Sequence, residues 1–217
     1  MKILHYLTAL LMLCLFAGSS QADDLTKQFV DAQAVFERSL AGDEDATELA
    51  LDQFDRLIEM APDNPLFTVY LGSAYTLKAR DAMMPWTRLK YLDKGLGIID
   101  KTLRKLAPVH DETLMRGVPV SVETRLVAVS TFLSVPGFLN RLQPAKDLLQ
   151  DVFTDPVFES SSSIVKARFY LQAANAAKRE DEPTKEKAFL QKVLNEMPDA
   201  PFALDVEQRL RESAHEQ

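Results

Sequence analysis

The stretch ALDQFDRLIEMAPDNPLFTVYLGSAY, residues 50–75, decides the fold. On its left, Leu49, Ala50, Phe54, Leu57, Ile58 and Met60 mostly recur three or four apart, as the buried face of a helix does. Pro62 cannot continue that helix, and Asp63-Asn64-Pro65 supplies a turn and a proline suited to opening the next one. On the right, helical spacing resumes, with Leu71, Ala74, Tyr75 and Leu77 as candidate core positions.

Working outward, YLDKGLGIIDKTLRKLAP repeats the logic. Leu92, Leu96, Ile99, Leu103 and Leu106 share a face, and Pro108 ends the run. Further helices are expected at 120–133, 143–152, 162–178, 184–196 and 202–213. The low glycine content, 7 in 217 residues, favours helices. No alternating apolar and polar run is long enough to read as a strand. Helix stops recur at Pro62, Pro108, Pro156 and Pro198, which points to a repeated unit.

The junction resembles the tetratricopeptide repeat (TPR), a helical hairpin of about 34 residues with the pattern W-x2-L-G-x2-Y, A-x3-F, P. Ala50, Phe54 and Leu57 before Pro62 resemble its second helix; Leu71, Gly72 and Tyr75 resemble the following first helix, with Thr68 in place of the tryptophan. The later matches are looser. They are Gly95 and Ile99 before Pro108, Ala128 then Ala145 and Leu149 before Pro156, and Leu190 and Val193 before Pro198. The resemblance implies an all-α, right-handed α-solenoid of TPR-like helical hairpins at about 25–62, 64–108, 120–156 and 161–198. A C-terminal capping helix at 202–213 would close the stack with a polar face.

Residues 1–22 have the make-up of a signal peptide: Lys2, an apolar run from Ile3 to Ala17, and small residues at Ser20 and Ala22. Cleavage is expected after Ala22, because the run is shorter than the roughly 20 apolar residues of a membrane span. Removing those 22 of 217 residues leaves 195, with a net charge one unit below the −7 of the full chain because Lys2 is lost. Cys14 is the only cysteine, so the exported chain has none and must be held by core packing. The expectation is a periplasmic protein of one domain, 23–217, with no later membrane span. Its acidity argues against nucleic acid or an anionic membrane surface as a general partner.

Two turns carry apolar additions. Ala79–Leu89 contains Met83, Met84, Pro85 and Trp86 with Arg80 and Arg88 beside them. FLSVPGFLNR, 132–141, contains Phe132, Leu133, Pro136, Phe138 and Leu139 with Arg141; HDETLMRGVPVS adds length before the third hairpin. Equivalent turns of a solenoid share an edge, so the two additions should be neighbours. They either pack on one another as core, the usual fate of large apolar side chains, or form an exposed apolar shelf with a basic rim for a partner. The DAMMPWTRLKYLDKGL turn followed by RLVAVSTFLSVPGFLNR is similar to a loose group of exported bacterial TPR-like proteins of unassigned activity. That resemblance implies an accessory of an envelope system such as transport.

Few residues offer chemistry. His110 and His215 lie in different elements, and no H-E-x-x-H, nucleophile elbow or phosphate loop occurs. Asp43-Glu44-Asp45 reads as a turn and helix start, because the glycine and closing Glu of a calcium loop are missing. Glu159-Ser160 and Glu212-Ser213 match the dipeptide of helical lytic transglycosylases, which leaves a peptidoglycan-acting enzyme as the alternative. The expectation is a chain without cofactor, metal or catalytic residues, binding an envelope protein or peptide, or a second copy of itself. In a TPR-like array the groove is lined by first helices, giving Leu66, Val69, Tyr70, Ser73 and Thr76 as candidates. Val69, Tyr70 and Ser73 do not match the Lys and Asn of a carboxylate clamp, so the groove would be apolar.

Overall fold

A computed structural model describes residues 23–215; the expected signal segment 1–22 and its cleavage point lie outside the described residues. The described chain is all-α apart from one two-residue hairpin. Helix α1 covers 23–40. It is followed by α2 (Glu44–Met60), α3 (Pro65–Asp81), α4 (Pro85–Arg104) and the short α5 (Val109–Glu112). Strands β1 (Leu114–Met115) and β2 (Val118–Pro119) precede α6 (Val120–Ser134) and a 3-10 turn at Gly137–Leu139. Then come α7 (Leu142–Phe153), α8 (Pro156–Glu159), α9 (Ser163–Arg179), α10 (Pro183–Glu196) and α11 (Ala203–His215). The chain divides into two compact units between Ile98 and Ile99.

The helix ends follow from local chemistry. Asp43 caps α2, its carboxylate accepting from Ala46 N–H at 3.2 Å, and Asn64 caps α3 through Leu66 N–H at 3.0 Å. Each cap satisfies an N–H that has no partner within its own helix. Pro65 and Pro183 stand in the first turns of α3 and α10, and Pro85 opens α4. There a missing N–H costs nothing and the fixed φ suits the helix.

The first unit is built around Tyr70. Its ring stacks on Phe54 at 5.1 Å and takes Phe36 and Phe29 edge-on at 5.2 and 5.6 Å. Gln33 Nε2 donates to its hydroxyl. This gathers α1, α2 and α3 about one ring, with Phe29, Phe54 and Phe67 fully buried. Helix α4 then lies very close to α3: a Cβ on Gly95 would fall 2.5 Å from the Gly72 carbonyl oxygen. Polar groups tie the same three helices together. Ser39 and Thr47 hydroxyls meet at 2.6 Å, and Thr47 donates to Asp81 at 2.7 Å.

In the second unit α6 pairs with α7, α9 with α10, and α9 also lies against both α6 and α7. Ala167, Ala174, Leu190, Val193 and Val206 form a buried cluster under α9, α10 and α11, with Phe202 and Leu210 packed on it. Arg209 of α11 donates to Glu186 at 2.6 Å and to Asn175 at 2.9 Å, fixing the last helix by a bond to each of its neighbours. Its outer side presents Leu204, Asp205, Gln208, Arg211 and Glu212.

Two expectations need correction. The addition at 79–89 is not a loop: α3 continues to Asp81, α4 starts at Pro85, and only residues 82–84 turn. And strands do occur. Leu114–Met115 pairs with Val118–Pro119 through a turn in which Arg116 and Gly117 both have positive φ, 53° and 77°, the requirement of the tight primed hairpin. Arg116 then donates to the buried Glu123 at 2.8 Å, holding the hairpin to α6.

Candidate functional site

The five positions read as groove residues are not on an open surface. Leu66 and Val69 are fully buried, and Tyr70 and Ser73 nearly so; they are the face of α3 that carries the first unit's core. Thr76 is half-buried, its hydroxyl donating to Ser73 O at 2.7 Å, and its methyl faces Gly95 at the α3–α4 crossing. The stripe is helical and apolar because it is core.

The turn residues behave differently. Met83 is 87% exposed, Trp86 68%, and Met84 and Leu89 about half. Packing as core is therefore corrected for this corner: the α3–α4 connection is three residues long, too short to fold back on itself. Arg80 is engaged with Asp81 at 2.6 Å, and Arg88 Nε donates to Ala82 O at 2.6 Å, holding its guanidinium at the turn. In the second addition Phe132 is buried within α6, while Phe138 is 67% exposed on the 3-10 turn. Arg141 is no free rim cation. It bridges to Asp100 at 2.9 Å and lies over the Phe132 ring at 5.2 Å.

One concavity among the described residues lies outside the expected positions. It is a cleft of about 270 Å³ over α9, between α7 and α10. Its floor is apolar: Leu149, Phe153, Ala173, Ala176, Ala177 and Phe189. Phe153 and Phe189 stack at 6.1 Å across it. Its edge is ionic, with Lys146 bridging to Glu180 at 2.5 Å and Lys185 to Glu182 at 2.7 Å. Hydrogen bonding to Glu182 holds the Lys185 ammonium above its ordinary pKa.

A signal for this cleft exists in the sequence and was missed. Tyr70-Leu71, Ala74, Lys78 and Asp81 recur as Tyr170-Leu171, Ala174, Lys178 and Asp181, one hundred residues further on. In that frame Ala176 and Ala177 stand where Thr76 and Leu77 stand in α3. Two larger side chains are replaced by methyl groups, and both alanines line the cleft. In the first unit the Thr76 side of α3 is met by α4, where a Cβ on Gly95 would fall 3.0 Å from the Thr76 methyl group.

The residues considered for chemistry lie apart. Glu159 is exposed at the end of α8, and Glu212 is exposed on α11. A second cleft, about 220 Å³, lies between β2 and the α8–α9 turn, but the Ser160 and Ser161 hydroxyls in it donate to Val157 O at 3.0 and 2.9 Å. His110 Nδ1 accepts from Ala107 N–H at 2.9 Å, closing its own turn. Among the described residues no group of three or more His, Cys, Asp or Glu could hold a metal ion, and no helix is long and apolar enough to cross a membrane. Comparison with protein-family models, curated proteins and solved structures gave no match.

Proposed function

We propose that this protein is a non-catalytic, exported adaptor of stacked TPR-like hairpins, in which the cleft over α9 receives an apolar segment of an envelope protein. One observation carries the reading: Ala173, Ala176 and Ala177 line, with Phe153 and Phe189, an apolar cleft between α7 and α10. An apolar floor with few charged groups at its edge suits capture of one or two large side chains, with the ionic edge fixing the direction of the bound backbone. The signal-like residues 1–22 support a periplasmic address, and recurring hairpins capped by α11 support the right-handed solenoid.

The test restores the α3 residues to α9. Ala176→Thr with Ala177→Leu fills the cleft with apolar volume, so the protein keeps its helicity and unfolding midpoint. Affinity capture from envelope extract loses its partner. Capture undiminished by the filled cleft refutes the assignment. Digestion of purified peptidoglycan, abolished by Glu159→Gln, would replace the adaptor reading with an enzymatic one.

A further inference from the structure

The corner between α3 and α4 faces solvent with four large apolar side chains within seven residues: Met83, Met84, Trp86 and Leu89. Contiguous exposed apolar surface of this kind marks an interaction site more often than chance. The side chains protrude from a helix corner, Met83 most of all at 87% exposure. A peptide gains affinity from a groove that surrounds it, which a protruding corner does not provide. A fluid bilayer surface supplies the concavity itself.

The charges select the kind of surface. Arg80, Arg88 and Lys90 against Asp81 give residues 80–90 a net charge of +2 in a chain of −7. Arg88 and Lys90 are exposed on the first turns of α4, next to Trp86 and Leu89. Indole at the headgroup level, flexible apolar chains below it and cations beside it are the elements of interfacial binding to anionic lipid. We propose that the Met83–Lys90 corner docks on an anionic phospholipid surface, with Met83 and Trp86 entering the headgroup boundary and Arg88 and Lys90 reaching lipid phosphates. This docking is independent of the cleft over α9.

The chain carries its own probe, because Trp86 is its only tryptophan. Vesicles of mixed phosphatidylglycerol and phosphatidylcholine are titrated into the full-length protein, and Trp86 emission is followed. Sedimentation is not the readout, since the apolar run in residues 3–17 could carry the chain to vesicles by itself. The expected result is a blue shift with quenching by brominated lipid, reversed by salt, and absent with phosphatidylcholine alone. Arg88→Gln with Lys90→Gln weakens the fluorescence-detected partition about twenty-five-fold, at a fivefold loss per charge, with the unfolding midpoint unchanged. An emission spectrum indifferent to anionic vesicles overturns the proposal. So does an equal shift with neutral vesicles, a shift with protein concentration alone, which marks a second copy, or a shift produced only by an acidic peptide.

Discussion

Gly95 and Gly97 sit two residues apart in α4, and the structure assigns their alanine variants opposite signs. On helix propensity alone, either Gly→Ala change stabilises by about 1 kcal/mol. At Gly97 nothing lies within 4 Å of the added Cβ, so the full gain is expected. At Gly95 the Cβ meets the Gly72 carbonyl oxygen at 2.5 Å and Thr76 at 3.0 and 3.1 Å. A relaxed contact needs about 3.5 Å, and opening a packed surface by 0.5–1 Å forfeits a quarter to a half of its attraction. The first obstacle is backbone, which cannot rotate aside, so α4 must move off α3 by about 1 Å at the crossing. Overpacking of this kind costs about 1–3 kcal/mol, and the backbone obstacle places it near the top of that range. Net of the propensity gain, Gly95→Ala destabilises by about 2 kcal/mol, and the two variants differ by about 3 kcal/mol. Urea unfolding followed by helical circular dichroism measures both, with similar m-values expected. Gly95→Ala as stable as the parent protein, or both variants shifting the same way, would refute the close α3–α4 approach.

Tyr70→Ala should destabilise by about 3–5 kcal/mol, the cost of removing a large buried ring, and a midpoint close to the parent's would return Tyr70 to the groove. Asp43 is held below the ordinary carboxylate range, first by its hydrogen bond from Arg38 and then by Ala46 N–H. A lowered folded pKa stabilises above the unfolded value of about 3.9 and is lost as pH falls through the folded value. Asp43→Asn should therefore melt below the parent at pH 7, with the gap closing in acid; a gap constant down to pH 2 would contradict this. Arg209→Ala, which removes the bonds to Glu186 and Asn175, should cost about 1–3 kcal/mol by leaving Glu186 underpaired and loosen α11 in hydrogen exchange. Unchanged protection would refute the anchoring role.

Helix positions were legible because two signals coincide in them. Apolar spacing marks the face, and Asn64-Pro65 or Pro183 marks the end. Expected helices at 120–133 and 143–152 stand at Val120–Ser134 and Leu142–Phe153. The α3–α4 corner was misjudged because Ala79, Arg80, Arg88 and Leu89 are good helix formers with no stop among them. Both helices run further than the repeat pattern allows. The hairpin at 114–119 is too short to show alternation, and Arg116 is an unusual residue for positive φ. The groove was misplaced for a deeper reason. Positions 66, 69, 70 and 73 are a helical stripe, and spacing identifies a stripe without saying what covers it. Absence of bulk is a weaker signal than presence. Ala176 and Ala177 read as helix filler until set against Thr76 and Leu77.

The most direct measurement places a photo-reactive phenylalanine analogue at position 189, on the wall of the cleft, and another at exposed position 204 on α11. On irradiation in cells the account predicts one discrete protein adduct from position 189. None should form from 204, and none from 189 once Ala176→Thr and Ala177→Leu fill the cleft. No adduct at 189, or one that survives filling, would contradict the cleft as the partner site.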